Sequence, residues 1–225
     1  MDFDFLVVLK LLVQAAGTSV SVFFLTLLFA LPLGLAICAG RMSKFRVVSW
    51  IFRIYISIMR GTPLVLQLFV AYYGPYYAFG IPLSHLGSNW RFVAVIIAFV
   101  LNYAAYFAEI YRSGIASMPV GQYEAARVLG YSRAQTFRFI ILPQVVRRIL
   151  PTITNEVITL IKDTSLAFAI GIVEMFTKAQ QLASALHTGK LLAYVLAGVL
   201  YYIFNFCVAM GMEKLEKKMN YYSIK

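Results

Sequence analysis

Five apolar runs, each close to the length of a membrane-crossing helix, constrain this chain more than any other feature. They fall at roughly Thr18–Gly40, Pro63–Gly80, Phe92–Tyr111, Pro151–Val173 and Lys190–Met212. About 20 helical residues cross the ~30 Å hydrocarbon core of a bilayer. A chain of 225 residues has too little polar surface to cover five such helices in water, since 61% of it is hydrophobic and only 13% charged. Ordinary soluble domains carry about 25% charged residues. The expectation is an all-α, polytopic membrane protein with five transmembrane helices, forming a single domain over residues 1–225. No internal repeat, linker or low-complexity stretch divides it.

The net charge of +11 could suggest a nucleic-acid partner, but its distribution excludes one. Arg41, Lys44, Arg46, Arg53 and Arg60 lie between the first two runs. Arg112, Arg127, Arg133, Arg138, Arg147 and Arg148 lie between the third and fourth, and Lys214, Lys217, Lys218 and Lys225 close the chain. Only Lys10, Arg91, Lys162, Lys178 and Lys190 fall elsewhere. Basic residues concentrate on the cytoplasmic side of a membrane, which sets the N-terminus outside and the C-terminus in the cytoplasm. The opening "MDFDFLVVLK" carries Asp2 and Asp4 where a cleaved leader needs basic residues. It is expected to form a short helix along the outer surface. Cys38 and Cys207 fall inside apolar runs, and His85 and His187 stand alone in outer loops. Neither pair suggests a disulfide or a metal site.

Two basic segments remain. The first, residues 41–63, mixes apolar residues with Arg53 and Arg60 and ends at Gly61 and Pro63; it reads as a helix at the interface. The second, roughly 112–150, contains "GQYEAARVLG". Good helix formers lead to Gly130, placed as a C-terminal cap where a positive φ is wanted. Ser132 and Gln135 then have the spacing of a capping box that opens another helix, which is expected to end at Pro143. The segment is a helix, a tight glycine turn and a helix, with Ala125 and Ala126 small enough for another surface to approach closely.

The spacing of Gly121, Glu124, Ala125, Ala126, Gly130, Ile140, Leu142 and Pro143 resembles the EAA loop of ABC-importer permeases. "RGTPLVLQLF", "EIYRSGIASMPVGQYEAARVLGYS" and "LPQVVRRILPTITNEVITLIKDTSLAFAIGIVEM" are similar to permeases of the polar amino acid subfamily, the histidine/glutamine/arginine type. The likeness runs from Arg41 onward. It implies a coupling helix that docks on an ATP-hydrolysing subunit through Gly121, Glu124, Ala125, Ala126, Gly130 and Pro143. It further implies two ATP-binding subunits and a second permease subunit, either an identical copy or a paralogue. An extracytoplasmic solute-binding protein and residence in the bacterial cytoplasmic (inner) membrane complete the implied assembly.

No G-x-x-x-x-G-K-[ST] phosphate cradle, H-E-x-x-H pair or G-x-S-x-G turn occurs in the sequence. No catalytic or metal-ligating residue is therefore expected here, and ATP and Mg are expected in the partner. The informative polar residues lie in the fourth run. At 100° per residue, Thr152, Asn155, Glu156, Thr159, Lys162 and Asp163 share an arc of roughly 120°, opposite an apolar face. Charge inside a membrane is costly and faces protein or water. Asn155, Glu156 and Thr159 are candidate substrate contacts, and a glutamate there favours the ammonium or cationic side chain of an amino acid. Lys162 and Asp163 either line a pathway or stabilise packing as a pair. In the third run, Asn102, Tyr106, Glu109 and Ser113 share a face. Asn102 is a further pathway or structural candidate, and Glu109 is expected to pair with Arg112 one turn on.

A membrane-embedded enzyme is a third class, but no nucleophile, base or metal set can be assembled for it, and two classes compete. One is the permease of an ATP-driven importer of polar amino acids, working by alternating access. The other is an ion- or proton-coupled secondary transporter or channel, in which Glu109, Glu156 and Asp163 would carry ions. Secondary transporters usually show paired halves with interrupted helices, and no such repeat is visible.

Overall fold

The computed structural model describes residues 5–185 and 190–220. Asp2, Asp4, His187 and Lys225 lie outside them. The described chain is helical: α1 Phe5–Arg41, α2 Arg46–Gly61, α3 Leu64–Phe79, α4 Trp90–Ala116, α5 Val120–Val128 and α6 Arg133–Gln135 come first. A π-helical segment, Thr136–Ile141, leads into α7 Leu142–Asp163. A 3-10 segment, Thr164–Ile170, and α8 Met175–Ala185 and α9 Lys190–Asn220 follow.

From Phe5 onward, the N-terminal segment does not form a separate surface helix. It is the first part of α1, which runs unbroken for 37 residues. Gly17 costs a helix only about 1 kcal/mol, too little to break it when Val8 and Leu12 on the near side are buried. Those two residues join Met175, Ala179, Ala183, Ala193 and Ala197 in a small cluster with α8 and α9. The main core is larger and centres on α4, whose buried face runs through Phe99, Tyr103 and Phe107 against α1, α3 and α7. The polarity of the exterior is inverted relative to a soluble protein. Phe24, Leu28, Leu35, Leu191, Val195, Val199 and Ile203 all face outward, as hydrocarbon solvent allows.

Three described helices are long and apolar enough to cross a membrane: α1, α4 and the Lys190–Met219 part of α9. A fourth span exists if α2 and α3 are taken together, across a bend of 111°. Gly61, Thr62 and Pro63 make that break. Pro63 supplies no N–H and precedes the first turn of α3, where none is needed.

The fourth apolar run differs in boundaries from its expectation. Its helix starts at Leu142 rather than Pro151, continues past Pro151, and gives way after Asp163 to the 3-10 segment, which ends at Gly171 with φ +77°. Pro143 therefore does not end the helix that begins at Ser132. The wide π turn before it absorbs the missing N–H and the ring's clash with the preceding turn. The result is a nearly continuous helical arm from Ser132 to Asp163.

Candidate functional site

At the α2–α3 break, the polar side chains first serve the backbone. Gln67 donates through Nε2 to the Met59 and Thr62 carbonyls, at 3.0 and 3.1 Å, and to Thr62 Oγ1 at 2.9 Å. Asn102 donates through Nδ2 to the Met59 carbonyl and to Gln67 Oε1, both at 3.0 Å. These bonds satisfy carbonyls that the end of α2 would otherwise leave without partners. Buried Asn102 is thus a strap across a broken helix.

Beside this strap lies a cavity of about 280 Å³, walled by Thr62, Pro63, Leu64, Asn102, Tyr103, Tyr106, Glu156, Thr159, Asp163 and Leu166. Glu156, Thr159 and Asp163 come from successive turns of α7, at the i, i+3 and i+7 spacing that shares one helix face. Tyr103 donates its hydroxyl to Asp163 Oδ2 at 2.7 Å. Glu156 has neither a hydrogen bond nor an ion pair to any described residue. The cavity therefore combines two carboxylates, an amide, hydroxyls and tyrosine ring faces. Such a lining suits a small polar molecule carrying an ammonium group.

The polar arc of α7 does not all reach this cavity. Asn155 lines a separate cleft of about 370 Å³ against α9, with Thr154, Phe206, Glu213 and Glu216; there Thr154 donates to Glu216 Oε1 at 2.6 Å. Lys162 is exposed and makes no ion pair with a described carboxylate. Glu109 pairs with Arg112 through both carboxylate oxygens, Arg112 Nε donating at 2.9 Å. His85 is exposed in a short 3-10 turn, Leu83–Leu86. Among the described residues, no group of three metal-ligating side chains forms.

Sequence reasoning missed Gln67, which sits one turn into an apolar run, and Tyr103, one of many aromatics. It also missed Glu174, which is fully buried. That carboxylate accepts the Phe176 and Thr177 N–H groups at 2.7 Å each and the Tyr201 hydroxyl at 2.7 Å. Ser19 Oγ donates to it at 3.5 Å. Only its place just before a new helix, where an acid suits the N-terminus, could have flagged it.

The segment around Gly130 is built as a knob. Gly130 has φ +81°, and Leu129 and Tyr131 return N–H bonds to the Ala125 and Ala126 carbonyls, both at 3.0 Å. Ser132 and Gln135 form the capping box, at 2.8 and 3.3 Å. Ala126 is buried against the chain itself, while Gly121, Glu124, Ala125, Val128 and Leu129 are exposed. Gln122 donates to Gln144 at 2.8 Å, which ties α5 to the base of α7. Pro143 is exposed beside it.

The profile of the family described as "Binding-protein-dependent transport system inner membrane component" matches residues 30–221. The L-cystine transport system permease protein TcyB of Bacillus subtilis (strain 168) is 38% identical over 201 residues, 89% of this chain and 83% of its own length. The nopaline transport system permease protein NocM of Agrobacterium fabrum is 39% identical over 213 residues, covering 93% of this chain and 88% of its own. Among solved structures, the crystal structure of an amino acid ABC transporter with histidines superposes with a TM-score of 0.83. It is 30% identical and covers 97% of this chain and 100% of the matched one.

Proposed function

This chain belongs to the family of binding-protein-dependent transport system inner membrane components, and on that premise we propose that it is the permease subunit of an ATP-driven importer of polar amino acids. The observation that carries the substrate class is the cavity between α3, α4 and α7, where Glu156 and Asp163 face an amide and tyrosine ring faces. In this reading, Glu156, Thr159 and Asp163 contact substrate, Asn102 holds the broken helix beside it, and Asn155 and Lys162 serve the packing and surface of α7. Similarity to permeases named for L-cystine and nopaline transport supports amino acids as cargo.

The chain itself supplies no catalysis. Two ATP-binding subunits hydrolyse ATP with Mg, a second permease subunit completes the pathway, and an extracytoplasmic binding protein delivers substrate. The exposed knob formed by Gly121, Glu124, Ala125 and Gly130 docks on an ATP-binding subunit. Because the helical arm from Ser132 to Asp163 is nearly continuous, a tilt imposed at the knob moves Glu156 and Asp163 with it. That is a physical route to alternating access. Five spans, with the N-terminus outside and the C-terminus in the cytoplasm, follow if α2–α3 and α7 with its 3-10 extension each cross once. The family match disfavours an ion-coupled secondary transporter.

The test is uptake of radiolabelled amino acids by proteoliposomes holding the complete importer. Glu156→Gln is expected to reduce ATP-dependent uptake of cationic amino acids more than that of neutral ones. Equal uptake by wild type and a Glu156→Gln/Asp163→Asn double variant would remove the cavity from the pathway.

A further inference from the structure

Charges of opposite sign without a described ion pair stand in and beside the cavity. Glu156 and Asp163 lie on the α7 wall with no cationic partner within ion-pair distance among the described residues. Arg60, in the last turn of α2 immediately before the break, is exposed and lies beside the wall rather than in it. Its guanidinium carbon sits 5.2 Å from the centre of the Tyr106 ring, and Tyr106 is itself part of the cavity wall. Tyr106 lies on α4 between Asn102 and Glu109, so Arg60 sits between the strap and the Glu109–Arg112 pair. Arg60 itself is in no described ion pair: those are Arg112 with Glu109 and Lys217 with Glu213. Glu109, one turn beyond Tyr106 on α4, is already taken by Arg112.

Charges in an apolar setting are normally paired. Here a cation rests on the ring of one wall residue, Tyr106, and two acids of the same wall have no ion pair among the described residues. The cavity is about 280 Å³, roughly nine times the ~30 Å³ share of one water in the liquid. A molecule carrying both an ammonium and a carboxylate would pair every one of these groups. We propose that Arg60 is a specificity-determining residue that binds the α-carboxylate of the substrate, while Glu156 and Asp163 hold its cationic groups, the α-ammonium and, where there is one, the charged side chain. This rests on the cavity being the substrate site.

Arginine suits the role because its planar fork meets a carboxylate with two parallel hydrogen bonds, which a lysine cannot do. Tyr106 gives the guanidinium a resting place when the cavity is empty, and a cation–π contact is weak enough to be exchanged for a charged partner. The cavity then separates amino acids from the amines made by removing their carboxyl group. A site built only of carboxylates would favour those amines.

The experiment is equilibrium binding to the purified permease–ATPase complex without the binding protein, so that the latter's own selectivity does not enter. The probes are L-arginine against agmatine and L-cystine against cystamine, pairs that differ only in carboxylates. Wild type is expected to bind the amino acid of a pair at least tenfold more tightly than the amine. Arg60→Gln is expected to weaken amino acid binding about tenfold or more while leaving amine binding within twofold. Arg60→Lys should fall between them, with an unchanged melting temperature. Equal loss for acid and amine in Arg60→Gln, or no loss for either, overturns the assignment. If Glu156→Gln weakens both members while Arg60→Gln changes neither, only the role of Arg60 fails. If neither Glu156→Gln nor Asp163→Asn alters binding, the cavity reading fails and this one with it.

Discussion

The Tyr103 hydroxyl on α4 donates to the Asp163 carboxylate at the end of α7, 2.7 Å away and 60 residues along the chain. It joins the most deeply buried helix of the core to the far end of the arm that begins at the knob. Asp163 accepts no other described hydrogen bond, so this one contact sets where the carboxylate points. The bond therefore belongs both to the packing of α4 on α7 and to the wall of the cavity.

Replacing Tyr103 with phenylalanine keeps the ring and removes the donor. A buried acceptor left without its partner costs about 1–3 kcal/mol, and half-buried Asp163, facing the cavity, falls at the low end. Tyr103→Phe is expected to lower the melting temperature of the purified protein by a few degrees. It should reduce amino acid uptake more than expression, because the freed carboxylate no longer holds its orientation. Wild-type uptake in a well-folded Tyr103→Phe protein would show that Asp163 is positioned by something else.

Gly130 needs its left-handed backbone, at φ +81°. A β-branched side chain there costs on the order of 1–2 kcal/mol and opens the turn that returns the Leu129 and Tyr131 N–H groups to α5. Since the knob lies outside the main core, Gly130→Val is expected to insert and fold normally. Substrate-stimulated ATP hydrolysis by the assembled importer should nevertheless be lost. Full stimulation with this variant would separate the knob from coupling.

What could be read in advance was local. The capping box at Ser132 and Gln135 and the cap at Gly130 depend on residues within one turn of each other, so spacing alone reveals them. The Glu109–Arg112 pair is of the same kind. The polar arc of α7 was visible as an arc, yet a helical wheel gives an angle without naming the helix opposite. Glu156, Thr159 and Asp163 meet α3 and α4, whereas Asn155 meets α9. Gln67 and Tyr103 gave no signal, because a single amide or phenol in an apolar run has meaning only once its distant partner is known. The continuity of α1 was hidden for a related reason. Its first turns are held by α8 and α9, more than 150 residues away.

Glu174 illustrates how specific such a distant arrangement is. Every polar group bonded to it is a donor: two backbone N–H groups, the Thr177 hydroxyl at 2.9 Å, the Tyr201 hydroxyl and, more loosely, Ser19. An ionised carboxylate only accepts, but glutamine would turn two N–H donors toward donors. Glu174→Gln is therefore expected to destabilise the protein nearly as much as Glu174→Ala, despite its similar shape. Thermal unfolding of the two variants in detergent provides the comparison. A near-wild-type melting temperature for Glu174→Gln would mean the carboxylate's charge is unimportant there.

At Gly114, α4 packs directly against Val145 and Ile149 of α7. A Cβ built there would lie 2.2 Å from Ile149 Cγ2 and 3.3 Å from Val145 Cγ1, so the helices can pack at this separation only because the position has no side chain. Gly114→Ala raises intrinsic helix propensity by about 1 kcal/mol. Overpacking a filled interface costs typically 1–3 kcal/mol, and the 2.2 Å contact makes the second effect the larger. The variant should be less stable than wild type and, by pushing α7 away from α4, should lengthen the Tyr103–Asp163 bond and weaken uptake. Ile149→Ala removes the clashing methyl and alone should also destabilise, through the cavity it leaves. The double variant Gly114→Ala/Ile149→Ala is expected to be more stable than the sum of the two losses predicts, since each change fills or vacates the same space. Melting temperatures and uptake of the four proteins form a complete cycle. Simple additivity would show that α4 and α7 do not bear on each other at this crossing.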